Sequence, residues 1–154
     1  MNKKLTLIAL AATTLCGSAL AQPVIDGTVD GLYGSAISTQ DTQTQFGDAN
    51  LGLVDFANGS ELDQAFAVIK NGRLYLMLTG NLESNYNKLE IFIDSRPGGQ
   101  NQLRADNPDV DFNGLNRMAG LKFDAGFDPD YWVSVTGGGP EPYTLYANYS
   151  ELRT

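Results

Sequence analysis

Three sets of side chains in this sequence could carry chemistry. The densest is Asp106, Asp109, Asp111 and Asn113, followed by Gly114. The spacing Asp-x-Asp-x-Asn-Gly sets oxygen ligands on alternate residues of a turning loop, as in the first half of a helix-loop-helix calcium loop. The twelfth position of such a loop needs glutamate, and Gly120 stands there. A Ca2+ ion would therefore draw its remaining ligands from Asp94, Asp124 or Asp128. The competing reading is a solvated loop in which Asp and Asn cap turns.

The second set is aromatic. Sugar rings present apolar faces that stack on Trp and Tyr, while Asp, Asn and Arg bond the hydroxyls. Trp132 with Tyr131, Tyr143, Tyr146 and Tyr149 could supply such a platform. As neighbours in a strand, Tyr131 and Trp132 face opposite sides, so only one serves a given face and core packing competes for either. The third set is the carboxylates Glu83, Glu90, Asp94 and Glu141, two of which would serve glycoside hydrolysis if a cleft held them at the right separation. In so acidic a chain such pairs also arise by chance, and a non-catalytic protein is the expectation. Asp26, Asp30 and Asp48 form a further acidic set near the start, where ordinary Asp-Gly turn chemistry is the expectation.

Composition narrows the field. The chain has no histidine, which removes the Ser-His-Asp triad, imidazole acid-base chemistry and most zinc and copper enzymes. Its one cysteine, Cys16, lies in a segment expected to be removed, so no disulfide, thiolate metal site or cysteine nucleophile is expected.

That segment opens with Lys3 and Lys4, continues through an apolar run at 5–15, and ends on Ala19-Leu20-Ala21. It reads as a cleavable signal peptide, residues 1–21, and predicts a secreted or extracytoplasmic protein. Leu15 precedes Cys16 where a lipoprotein wants a small residue, so lipidation is not expected. The apolar run is too short to span a membrane, and no other uncharged stretch approaches that length. Cleavage leaves 8 basic against 18 acidic residues, a net charge of −10. That balance argues against nucleic acid or an anionic membrane as partner.

The elements that must position these residues are strands. Residues 65–69 and 74–78 are β-prone runs around Lys70-Asn71-Gly72-Arg73, a strong hairpin signal. A third run, Leu89-Glu90-Ile91-Phe92-Ile93-Asp94, is expected to neighbour these two in one sheet. Further strands are expected at 32–37, 121–124, 131–136 and 143–149. Residues 95–119 form a long irregular stretch, either functional or mobile. No long 3.6-residue period occurs, and about seven short strands at this spacing predict an all-β chain. The expected architecture is a single β-sandwich domain over 22–154, of jelly-roll or DOMON-like type. The sequence stops directly after a strand candidate, which reads as a C-terminally truncated product.

The opening Ile25-Asp26-Gly27-Thr28-Val29-Asp30-Gly31-Leu32-Tyr33-Gly34, then Gly72-Arg73-Leu74-Tyr75-Leu76 and the Leu89 to Asp94 run, resemble the DOMON and family-nine carbohydrate-binding-module sandwiches. The resemblance covers about half of the segment after the signal and implies a sugar or calcium role. Those modules clamp a sugar between aromatic residues, and no such clamp maps onto this sequence residue by residue. The stretches Arg96-Pro97-Gly98-Gly99-Gln100-Asn101 and Asp109-Val110-Asp111-Phe112-Asn113-Gly114-Leu115-Asn116 resemble exported bacterial proteins of the PEP-type sorting-signal group, which implies a location. The expected function is recognition of carbohydrate or another cell-surface component. A matrix or surface structural protein with no small-molecule ligand is the alternative, and a carboxylate-based hydrolase is a third reading.

Overall fold

A computed structural model describes residues 21–40, 60–108, 114–142 and 144–152. All but the last residue of the expected signal peptide lies outside them. The fold is all-β: the described residues form two antiparallel three-stranded sheets and one short 3-10 turn at Leu115–Met118. The first sheet holds β1 (Ser38–Thr39), β2 (Glu61–Lys70) and β3 (Arg73–Asn81); the second holds β4 (Asn85–Ile93), β5 (Tyr131–Gly138) and β6 (Thr144–Glu151). Among the described residues no helix is long and apolar enough to cross a membrane.

The β2–β3 hairpin forms where the sequence predicts it. Lys70 pairs with Arg73, and the two residues between them, Asn71 and Gly72, have φ of 51° and 72°. Those are the left-handed positions of a type I′ turn, whose twist matches that of the flanking strands. Tyr33 packs edge-on against Phe66 of β2, with ring centroids 6.5 Å apart, which seats the N-terminal segment on this sheet.

Three expectations about strands are corrected. The run at 89–94 does not join the hairpin: as β4 it pairs with β5, Phe92 opposite Trp132 and Ile91 opposite Val133. Residues 32–37 turn rather than extend. Asp30 accepts from the Leu32 N–H at 2.8 Å, Gly34 has φ of 75°, and pairing begins only at Ser38. Residues 121–124 make a single bridge, Gln102 with Lys122, and no strand, because the Leu121 N–H turns back to the Met118 carbonyl and the Asn101 side-chain amide takes the Phe123 and Asp124 carbonyls that would extend the ladder.

The described parts of 95–130 are ordered by their own hydrogen bonds and cover one face of the second sheet. Gln100 and Asn107, both buried, join side chain to side chain, and the Asn101 amide donates to the carbonyls of Phe123, Asp124 and Phe127. Leu103 and Leu115 from this stretch enclose Trp132 and Leu152, with Phe92, Met118 and Phe123 packed around them. The long connection therefore contributes much of the core.

Candidate functional site

Alternation along the paired strands puts Lys88, Glu90 and Phe92 of β4 on one face with Thr136, Ser134 and Trp132 of β5 and with Tyr146, Asn148 and Ser150 of β6. The Trp132 end of this face lies under the core. At the other end Tyr86, Lys88, Thr136, Tyr146 and Asn148 line a groove of about 780 Å³, a size suited to a small-molecule site. Tyr86 is 56% and Tyr146 47% exposed. Two rings wet on one side, with an ammonium and an amide in the same groove, can stack on the apolar face of a ligand and bond its hydroxyls.

Tyr86 is held in place by its neighbours. The β4–β5 register slips between Asn85 and Lys88, and in that irregularity Tyr86 has φ of 65°, an uncommon conformation for an aromatic residue. The next residue is fixed from two sides. Asn85 Oδ1 accepts from the Asn87 N–H at 2.9 Å, and Thr136 Oγ1 donates to the Asn87 carbonyl at 2.7 Å.

A second aromatic group occupies the opposite face of the same sheet. Tyr131 and Tyr149 stack with centroids 5.8 Å apart and ring planes 23° from parallel, and the Arg96 guanidinium lies 5.1 Å from the Tyr131 centroid. Arg96 also bonds the carboxylates of Glu151 and Asp130. Those partners already engage its charge, and the hydrogen bond it donates to Glu151 is the main reason its pKa rises. Desolvation, followed by the charges of Tyr131 and Glu151, holds the Tyr149 phenol above its ordinary pKa.

The aromatic residues expected to form one platform are thus divided between two faces. Tyr146 lines the groove, Tyr131 and Tyr149 stand on the far side, and Tyr143 lies outside the described residues. Trp132 is wholly buried, its indole N–H donating to Glu90, so it follows the core-packing reading and offers no surface to a ligand. Tyr86 was not among the expected residues; the only local sign of it is a lone aromatic between two asparagines.

In the acidic loop, both carboxylate oxygens of Asp106 are held by Arg104, at 2.9 and 2.7 Å, while Asp109, Asp111 and Asn113 lie outside the described residues. Among the described residues no three or more metal-ligating side chains gather. Asp26 and Asp30 accept from the N–H groups of Thr28 and Leu32 two residues on, which is the turn chemistry expected there. Asp48 lies outside the described residues. Of the candidate carboxylates, Glu83 accepts from Asn85, Asp94 from the Asp128 N–H and Glu90 from Trp132.

No protein-family model matches this chain, nor does any curated protein or solved structure.

Proposed function

We propose that this chain is an exported, non-catalytic binding module that recognises carbohydrate at the cell surface or outside the cell, using the groove between Tyr86 and Tyr146. This reading takes the two sheets as the halves of a β-sandwich. One observation carries it: two half-exposed tyrosines share a groove with Lys88, Thr136 and Asn148, the combination of stacking surface and hydroxyl-bonding groups that a pyranose needs. The acidity of the chain and its lack of histidine support a neutral ligand and a binding role. Calcium held by Asp109, Asp111 and Asn113 is part of the proposal as a means of fixing the acidic loop. At Asp106 a cation would have to compete with Arg104.

The test is a glycan array probed with purified protein in calcium and in chelator. Binding that falls at least about tenfold in both Tyr86→Ala and Tyr146→Ala supports the reading. A folded sample that binds no glycan in either buffer overturns it. Calcium-dependent melting assigns the ion a structural place.

A second reading, a surface or matrix protein that self-associates, is favoured by the apolar side chains open on both sheets. Ile69 and Leu74 on the first are 72% and 52% exposed, and Leu145 on the second is 63% exposed. Such patches favour association. Concentration-dependent sedimentation without glycan binding would select it.

A further inference from the structure

Gly138 ends β5, opposite Asn85 on β4 and Thr144 on β6. Glycine is commonly placed where the backbone must turn left-handed, as at Gly72 and Gly139 in this chain. Gly138 has no such φ, so its backbone would accept a side chain. What forbids one is space. A Cβ there would stand 2.4 Å from Cε1 and Cζ of Tyr86 and 2.6 Å from Cδ1. The Tyr86 ring occupies the room that any other residue at 138 would fill.

The ring is therefore seated from below, while the strand irregularity and the two bonds to Asn87 fix its backbone. An aromatic ring laid over a cross-strand glycine is a known packing device. The left-handed φ of Tyr86 goes with the irregularity in which β4 sets two residues against one of β5, and it leaves the ring over Gly138 while still 56% exposed.

We propose that Gly138 is a positioning residue: it makes the seat that holds Tyr86 as a fixed wall of the groove. The ligand then meets a ring that is already in place, and less side-chain freedom is lost on binding. The ligand class, a pyranose face, rests on the carbohydrate reading above; the seat itself does not.

The experiment uses the full chain and four variants, Gly138→Ala, Tyr86→Ala, their double mutant and Tyr86→Phe. Glycan affinity is measured against the best array ligand, and NMR contacts are measured between the Tyr86 ring and the Hα protons of residue 138. Gly138→Ala should weaken binding about tenfold with no fall in melting temperature. It should change nothing further in the Tyr86→Ala background, because the two residues act through one ring. Tyr86→Phe should retain the ring contacts and most of the affinity. The contacts to residue 138 should be present in the wild type and lost in Gly138→Ala.

Unchanged affinity in Gly138→Ala, or an equal loss with and without Tyr86, overturns the positioning role and leaves the carbohydrate reading standing. If no glycan binds but the ring contacts are present in the wild type and lost in Gly138→Ala, the carbohydrate reading fails and the seat stands. Absence of those contacts from the wild type overturns the seat directly.

Discussion

The indole N–H of Trp132, at the centre of the second sheet, donates to the carboxylate of Glu90 on the neighbouring strand. Glu90 is one of the carboxylates that sequence spacing offers for acid-base work, and here it serves the core. Replacing it with leucine leaves a buried donor without this acceptor, and Glu90→Leu should cost about 1–3 kcal/mol. Glu90→Gln keeps an acceptor and should cost less. The chain has one tryptophan, so urea unfolding followed by its emission reads this environment directly. Equal midpoints for Glu90→Leu and wild type would show that the bond adds nothing.

Asp130 ties the second sheet together. It is wholly buried, accepts from the Ser95 and Arg96 N–H groups at 2.9 and 3.0 Å and from Arg96 Nε at 3.3 Å. The bond from the Ser95 N–H is the main reason its pKa falls below the ordinary 3.8, against the opposing effect of burial. A carboxylate with a lowered folded pKa stabilises fully above its unfolded value, and that contribution is lost as pH falls through the folded one. Asp130→Asn should therefore be less stable than wild type at neutral pH, and the gap should narrow as pH falls below about 4. Thermal melts of both proteins across that range test this, and a gap of constant size would refute it.

Ser134 is wholly buried on β5, and among the described residues its hydroxyl has no hydrogen-bond partner. An unbonded buried hydroxyl is a cost that alanine removes with little change of volume. Ser134→Ala should be neutral or stabilising by up to about 1 kcal/mol. A loss of that size in a denaturant titration would mean that the hydroxyl is bonded after all.

The sequence was legible where the signal is local. Asn71-Gly72 between two β-prone runs defines a hairpin because turn type and register follow from two residues. Alternation separates Tyr131 from Trp132, and the structure puts one half-buried on an outer face and the other in the core. Sheet membership was not legible. Residues 89–94 read as a strand, but pairing with β5 crosses the whole loop and leaves no local pattern. The same loop reads as a long irregular connection, while its role as the cover of a sheet depends on where Leu103 and Leu115 land. Nothing in the sequence separates Asp130 from Asp124 or Asp128. Tyr86 carries no such signal for a different reason: propensity gives no expectation of a tyrosine at φ of 65°, a conformation that belongs to the register slip between Asn85 and Lys88.

Two glycines in the covering loop separate conformational strain from lack of space. Gly99 and Gly126 both have left-handed φ, 97° and 85°. A Cβ on Gly126 would meet nothing within 4 Å, whereas one on Gly99 would stand 1.9 Å from the carbonyl oxygen of Asp128. The next residue, Gln100, donates its N–H to the Pro129 carbonyl at 3.1 Å, so the two backbones cannot part without breaking that bond. Gly126→Ala should cost only the left-handed penalty, about 1–2 kcal/mol. Gly99→Ala adds a backbone clash that no rotamer can relieve and should cost about 3 kcal/mol or more. Urea midpoints of the two variants decide the matter: a Gly99→Ala protein as stable as Gly126→Ala would mean that the loop is free to move away from residues 128–129, and that it does not hold the core in the way its contacts describe.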